Sequence, residues 1–551
     1  MSMRKVWLAP LLLSVACAST PIKKSDVPAL AQADALVLQG CYDCLLEARA
    51  TYARVGVGKA RPLVVARLFE TDLLITLREK ELALDSSKSF AEAEALGKEL
   101  PPAFEAARYL TIAEAVPGDD LGWTHRETTD FRRAHGAFVP KINDELQWLA
   151  TGALAQPVRQ YLSLAIDCAY PTRSRQIAPG TRPGRPEVPA GAPPLIAYRT
   201  GICISVSNVI LAKVREEVPR FVETGYFMSR SALITAKSDG GRQAKAWLDE
   251  NYKRFPKSPS VTYISGQLNQ FAGDCKAALK FYEETLAMKP EHEVGLIGRT
   301  VCLTYLKRTD EAIAEATHMI DLKTDNIDEA YYWRSWNHYS RQALDLARAD
   351  INLAKSRRAT PSYYTLAGMI EHDQNDLNEA ETDLKAARDM SVQNCVAMWY
   401  LGLVALKREQ WLVSGRNFED AMTCYEANVK DSEDGLKAIQ NRTDLDEEFK
   451  ARQIAGFEAA IKEDHTHQYA AAFNAANQYA HGGNVPKAKT LLEVASLDPG
   501  LSKEVAELRK IIGGLEIIPG VILRKTQNHS RYHYPDGYLR AFRDLARQLH
   551  R

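Results

Sequence analysis

Apolar residues recur at intervals of three and four positions through most of the chain, and short polar turns separate the segments that carry them. That period is typical of α-helices with one buried face. The segments YISGQLNQF and CKAALKFYEETLAM flank a turn at 272–274, and turns of this length join antiparallel helices. The sequence therefore predicts a helical hairpin over residues 263–288.

Small and bulky residues hold definite places in this hairpin. Gly266 and Ala278 are small, so the two helices can approach closely at those heights. Tyr282 is expected to fill the space between this hairpin and the next one, and Pro290 to end the second helix. The four residues are 12, 4 and 8 positions apart, and these spacings can be sought elsewhere in the chain.

The same spacings repeat along the sequence. The small residue at 278 has equivalents at spacings of 34, 34, 35, 33 and 34, which gives the series Ala244, Ala278, Ala312, Ala347, Ala380 and Ser414. The residues twelve positions earlier are Ala232, Gly266, Thr300, Ser335, Gly368 and Gly402. The residues four positions later are Leu248, Tyr282, Ala316, Ile351, Leu384 and Phe418. A seventh repeat at 469–502 has Ala476, Ala488, Leu492 and Pro499 at the equivalent places.

These residues resemble the tetratricopeptide repeat (TPR), a helix–turn–helix of ~34 residues with small residues at motif positions 8 and 20, a bulky one at 24 and proline near 32. The resemblance covers about 240 residues. It implies an all-α fold, a helical-hairpin solenoid (TPR superhelix) with an irregular helical domain before it. It names no partner, because repeat arrays of this kind serve many functions.

The less regular segments set the predicted domain boundaries. Residues 31–170 show helical periodicity and predict a divergent helical-hairpin domain. Residues 171–194 hold seven prolines and three glycines and are predicted to be a linker. The array is assigned to 195–428 with repeats from about 225, followed by a helical insertion at 429–468, the further repeat at 469–502, and a capping helix and C-terminal tail at 503–551. The insertion is predicted to be a lengthened last helix of the sixth repeat plus an inserted helix.

The N-terminus has the pattern of an export signal. Arg4 and Lys5 precede an apolar stretch at 6–15 that is too short to span a bilayer. The segment LSVAC resembles a bacterial lipobox, although Ser14 stands where an aliphatic residue is usual. The resemblance implies a lipoprotein signal peptide over 1–16, a lipid on Cys17 and a tether over 17–30; Ala18 after the cysteine implies anchoring to the outer membrane. Cleavage after an Ala-x-Ala-like site, with Cys17 incidental, is the alternative.

The charge balance bears on the kind of partner, and the cysteine content bears on disulfide formation. The 70 basic and 70 acidic residues balance, so no global basic field favours nucleic acid. Removing Cys17 leaves eight cysteines, and an exported protein can form disulfides. Cys395 and Cys424 should lie close together at one end of a repeat's antiparallel helices, and they are the predicted disulfide. The alternative is that all eight cysteines are small buried hydrophobic residues.

The sequence shows no catalytic constellation. RVGVGKA at 54–60 has the Gly-Lys of a phosphate loop but not its first glycine or its Ser or Thr, so a turn between helices is expected. Glu463, Asp464, His465 and His467 have no third ligand at helical spacing, and a solvated loop is expected there. The prediction is a protein without enzymatic activity, metal or cofactor.

Aromatic residues occupy the motif positions that line the ligand groove in the resembled family. There the first helix of each repeat lines the concave surface through positions 2, 5, 9, 12 and 13, which here carry Tyr263, Phe271, Tyr305, Tyr332, Trp336, Tyr339 and Trp399. These residues are predicted to bind an extended, partly apolar protein segment or peptide. Packing between neighbouring first helices is the alternative.

Three classes of function follow from these patterns. The first is a non-catalytic interaction scaffold of the bacterial cell envelope that binds a protein or peptide partner in the groove. The second is a structural envelope lipoprotein without a groove ligand. The third is an envelope hydrolase or metal-binding protein that uses the N-terminal domain. The oligomeric state does not follow from the sequence.

Overall fold

The computed structural model describes residues 23–119, 121–123, 125–170, 188–203, 208–234, 241–443 and 447–513. All regular secondary structure in these residues is helical. The predicted signal peptide, Cys17, most of the predicted linker and the tail from 514 onward lie outside the described residues. The chain forms two compact units: unit 1 holds residues 1–265 and 284–292, and unit 2 holds residues 266–283 and 293–551.

The first part of unit 1 is a series of short and medium helices. They are α1 (Val27–Gln39), α2 (Tyr42–Val55), α3 (Arg61–Glu81), α4 (Ser87–Glu99), α5 (Ala106–Ala115), α6 (His125–His135), α7 (Ile142–Thr151), α8 (Gln156–Ala169), α9 (Pro194–Cys203) and α10 (Asn208–Glu217). α1 begins inside the segment predicted as a tether, and Gly40 ends it in the left-handed backbone region. α3 is buried along most of its length and forms the centre of this part of the unit.

The repeat hairpins follow in regular order. Unit 1 continues with α11 (Glu223–Ile234) and α12 (Gly241–Arg254), whereas α13 (Pro259–Phe271) and α14 (Cys275–Met288) are each divided between the units. Unit 2 continues with α15 (Glu293–Tyr305), α16 (Thr309–Leu322), α17 (Ile327–Ser340), α18 (Leu344–Arg357), α19 (Pro361–Asp373), α20 (Leu377–Met390), α21 (Cys395–Lys407), α22 (Trp411–Gln440), α23 (Glu447–His481), α24 (Val485–Ala495) and α25 (Ser502–Gly513). None of the described helices combines the length and the apolar run that crossing a bilayer requires.

The residues at the repeating sequence spacings are those through which the two helices of a hairpin contact each other. A Cβ added to Gly402 would lie 2.9 Å from the ring of Phe418, sixteen residues later. Gly266 stands in the same relation to Tyr282, at 2.8 Å. The hydroxyl of Ser414 donates to the carbonyl oxygen of Gly402 at 2.8 Å, twelve residues apart. The structure is therefore an all-α array of helical hairpins of the TPR-like type, as the sequence predicts.

The segment at 429–468 includes the lengthened helix of the sixth repeat, but its described residues form no separate inserted helix. The second helix of the sixth repeat, α22, runs on to Gln440, and the first helix of the seventh, α23, begins early at Glu447. The two long helices pack against each other, with Gly435 lying close to the ring of Phe457. The insertion is therefore an elongation of two repeat helices. The predicted capping helix is α25, which packs Val505, Leu508 and Ile512 onto the seventh repeat.

Unit 1 contains a buried network of charges that the sequence did not reveal. The guanidinium of Arg78, fully buried, donates to Glu81 at 2.6 Å and to Glu223 at 2.5 Å. Arg199 donates to the other oxygen of Glu81 at 2.7 Å, and the Arg78 guanidinium lies 3.8 Å from the centre of the Tyr198 ring. The two arginines balance the two carboxylates, and the network joins α3, α9 and α11.

Candidate functional site

The seven predicted binding aromatics are divided between the units and differ in burial. Tyr263 belongs to unit 1, and the other six belong to unit 2. Tyr263, Tyr332 and Tyr339 are buried, with exposed fractions of 6%, 7% and 7%. The half-buried residues are Phe271, Tyr305, Trp336 and Trp399. Only the half-buried rings have area left for a partner.

Tyr332 and Tyr339 are part of the core of unit 2. The Tyr332 ring lies 5.0 Å from that of Tyr363 on the neighbouring first helix. The Tyr339 hydroxyl donates to Asp373 at 2.7 Å and lies 3.5 Å from the hydroxyl of Tyr400. Burial, together with the nearby Tyr400 and Asp373, raises the pKa of Tyr339 above its ordinary value. For these two residues the structure favours packing between first helices.

Of the four half-buried rings, Phe271 ends α13, a helix that is divided between the two units. We call the other three, Tyr305, Trp336 and Trp399, the aromatic patch. They lie on α15, α17 and α21, and each packs at the margin of the core formed by the stacked hairpins. Trp336 meets Tyr339 edge-on at 5.9 Å, and Trp399 meets Phe418 edge-on at 5.4 Å. These contacts fix the indole rings in place, so a partner would meet rigid aromatic groups.

Two charged residues occupy the same motif position as Tyr305. Asp373 and Lys407 each follow the small residue of their repeat by five positions, as Tyr305 does. Asp373 accepts the Tyr339 hydrogen bond, and the Lys407 amine donates to the last-turn carbonyl of His372 at 2.6 Å. Burial lowers the pKa of Lys407. The aromatic pattern includes neither residue, although the repeat period places both in register with Tyr305.

Cysteine pairs join helices in both units. Cys395 on α21 and Cys424 on α22 are joined, with their Cα atoms 5.4 Å apart. Cys168 is joined to Cys203, and Cys41, which caps α2, is joined to Cys44 in the first turn of that helix. Peptide mapping without reductant would establish these pairings in solution.

The segment with the potential metal ligands is helical, so the expectation of a solvated loop at 463–467 is wrong. It lies within α23, because no proline interrupts the helix-forming run from 447 to 481. His465 stacks on Tyr469 at 5.3 Å, and His467 stacks on Tyr425 at 5.2 Å. Within the described residues, no group of three metal-capable side chains comes together.

The Gly-Lys motif at 54–60 lies where two helices of unit 1 meet. α2 ends at Val55, a single 3₁₀ turn covers Gly58–Ala60, and α3 starts at Arg61. A phosphate loop instead connects a strand to a helix. The segment is therefore a connection between helices.

A buried carboxylate in unit 2 has the perturbed acidity that can mark a catalytic group. Glu371 is 4% exposed, and its Oε2 accepts no hydrogen bond within the described residues. Burial, with the Asp383 carboxylate second, raises the pKa of Glu371 to about 7. The nearest cation is Arg348, at 4.0 Å. Glu371 lies on α19, which carries none of the three residues of the aromatic patch.

The raised pKa of Glu371 predicts a pH-dependent effect of its replacement. A carboxyl whose pKa is higher in the folded than in the unfolded protein lowers stability as pH rises from ~4.5 to ~7. Glu371→Gln removes that ionisation, so we expect it to stabilise unit 2 by about 1–2 kcal/mol at pH 8 and to have little effect at pH 4.5. Thermal unfolding at both pH values measures this. Equal shifts at both would show that folding does not raise the pKa of Glu371.

This chain matches several solved structures at low sequence identity. No protein-family model matches it, and no curated protein matches it. Among solved structures, MamA from Desulfovibrio magneticus RS-1 is 15% identical, with a TM-score of 0.28 over 31% of this chain and 96% of that one. YrrB, described as a TPR protein with an unusual peptide-binding site, is 13% identical, with a TM-score of 0.28 over 32% of this chain and 91% of that one. A chain of the APC/C hetero-tetramer Cut9-Hcn1 is 12% identical, with a TM-score of 0.39 over 89% of this chain and 93% of that one.

Proposed function

We propose that the protein is a non-catalytic scaffold that binds a protein or an extended peptide on the first helices of unit 2. The observation that carries the proposal is the aromatic patch, three half-buried rings on α15, α17 and α21. Aromatic anchors dominate the energetics of many protein interfaces, and half-buried rings can add contact area on binding without first becoming ordered. Asp373 and Lys407 lie in register with Tyr305 and would suit a ligand that carries polar groups beside its apolar ones.

Photocrosslinking tests where the partner binds. Benzoylphenylalanine at position 336 in the native host should capture a protein partner, and the same group at position 364 should not. Tyr364 is a matched control because it is half-buried on the next first helix but packs over Lys355, 4.9 Å from the ammonium. Equal capture at both positions would exclude the patch as the binding surface.

The double variant Trp336→Ala and Trp399→Ala should then lose the captured partner. Removing an aromatic anchor typically costs more than ~1–2 kcal/mol of binding energy, so affinity should fall at least about tenfold for each ring. Titration calorimetry with the captured partner measures the loss, and Tyr364→Ala should bind normally. Unchanged affinity in a folded double variant would favour a structural lipoprotein that spaces other proteins without a groove ligand.

We further propose that the scaffold is anchored to the bacterial envelope by a lipid on Cys17. The lipobox-like segment LSVAC supports this. Labelled fatty acid should enter the wild-type protein, and Cys17→Ser should abolish labelling and release the protein from membranes. A multiply acylated N-terminus anchors stably, whereas one acyl chain binds only marginally. Continued labelling of the variant would rule out Cys17 as the attachment site.

A further inference from the structure

The elongated helices of unit 2 form a groove that no repeat hairpin covers. Its walls are the extended parts of α22 and α23, and its rim is the turn at 497–499 that precedes α25. The groove has a volume of 770 Å³, enough for several side chains of another segment.

The middle of the groove is apolar and its rim is charged. Leu436, Ile461 and Tyr469 are half-buried along its length, and Leu497 at the end is 64% exposed. Glu433 and Lys462 are among the charged residues that line its edges. An apolar strip with a charged rim is the pattern that receives one apolar face of an amphipathic segment.

The sequence supplies such a segment in the same chain. Residues 514–551 follow α25, and within them Tyr538, Phe542, Leu545 and Leu549 are spaced four, three and four apart. That spacing puts all four on one face if the segment is helical.

The chain is long enough to bring this segment back to the groove. α25 starts at Ser502, three residues after the groove rim at Pro499, and its 12 residues span about 18 Å. The 24 residues from 514 to 537 can extend to roughly 80 Å, several times the length of α25.

Charge favours the same pairing. Residues 429–468, which form most of the groove walls, contain ten acidic and six basic residues, a net charge of −4. Residues 514–551 contain seven basic and three acidic residues, a net charge of +4. Opposite net charges on two segments of one chain favour their association, and the attraction weakens with added salt.

We propose that residues 538–549 of the same chain occupy the groove between α22 and α23. In this arrangement the apolar face of the segment contacts Leu436, Ile461 and Leu497. The groove is then an intramolecular docking site, distinct from the aromatic patch. This proposal does not depend on the proposed binding of a partner to the patch.

Hydrogen exchange of the full chain tests the proposal. Phe542→Asp with Leu545→Asp should raise exchange about tenfold at residues 458–469 and 497–501, because the covering segment leaves. Thr526→Asp with Gln527→Asp makes the same change in charge outside the apolar spacing and should leave exchange unchanged.

On the groove side, Leu497→Asp should reproduce the increase at 458–469. Leu346→Asp, at 57% exposure on α18, is its control. Unchanged exchange in the Phe542 and Leu545 variant would overturn the proposal.

Photocrosslinking identifies the occupant. Benzoylphenylalanine at position 542, in a mixture of isotopically light and heavy protein, should link to residues 433–469 or 497–499 of the same chain. Mixed light–heavy products would assign the groove to the tail of a second copy. Products with lipid when vesicles of phosphatidylglycerol are added, and none with the groove, would assign the tail to a membrane surface. Either result would overturn the intramolecular assignment.

Discussion

Replacing Arg78 by methionine should destabilise unit 1 by about 3–5 kcal/mol, because it leaves two buried carboxylates without their shared cation. Arg78 is fully buried and donates to both Glu81 and Glu223. Arg199 can still neutralise Glu81, whereas Glu223 loses its ion pair with Arg78 and keeps the backbone N–H of Tyr42 as a donor. Hydrogen exchange of α3 and α11 as a function of denaturant measures the loss in this unit separately from unit 2.

An exposed arginine gives the matched control. Arg61 pairs with Glu99 on the surface, where the two side chains are 38% and 42% exposed. Arg61→Met should cost less than ~1 kcal/mol, since surface pairs contribute little. If the two methionine variants were equally stable, the buried carboxylates would have to be protonated or solvated in the folded protein.

Two glycine-to-alanine replacements should shift stability in opposite directions. Gly402→Ala puts a methyl group 2.9 Å from the buried Phe418 ring, and such overpacking typically costs ~1–3 kcal/mol. A Cβ added to Gly456 in α23 would meet no atom within 4 Å. Gly456→Ala should therefore stabilise that helix by about 0.5–1 kcal/mol through helix propensity.

Chemical unfolding of unit 2 distinguishes the two glycine variants. Both replacements add one methyl group to a helix. The difference between their effects on the free energy of unfolding therefore reports the contact between Gly402 at motif position 8 and Phe418 at position 24. Stabilisation by Gly402→Ala would mean that the hairpin relaxes freely around Phe418, and the small residue at position 8 would then have no packing role.

The repeat array could be predicted because its contacts recur at fixed spacings. Gly402 and Phe418 meet sixteen residues apart, as do Gly266 and Tyr282, so a short pattern in the sequence stands for a contact in space. The network around Arg78 has no such signal, since Glu223 lies 145 residues away and neither residue belongs to a period. Long-range ion pairs of this kind depend on the packing of unlike helices, which helical periodicity does not specify.

The spacing of the aromatic residues predicts which of them share a helix face, but it cannot give the depth of each ring. Tyr332, Trp336 and Tyr339 share a face of α17 by spacing alone. Tyr363 and Tyr400, from the next two first helices, cover two of them and leave Trp336 half-buried. Burial is thus decided by residues 31 and 61 positions further along the chain.

The length of the α22–α23 hairpin sets the distance between its tip and the end of an ordinary repeat helix. α22 has 30 residues, where the second helices α16, α18 and α20 have 14 each. Sixteen additional residues in a continuous helix advance about 24 Å along its axis. Any protein that contacts the tip of the hairpin near residue 440 would therefore be held at that separation from the end of an ordinary repeat helix. Insertion or removal of two helical turns in both helices would change the separation by about 11 Å while leaving every repeat contact intact.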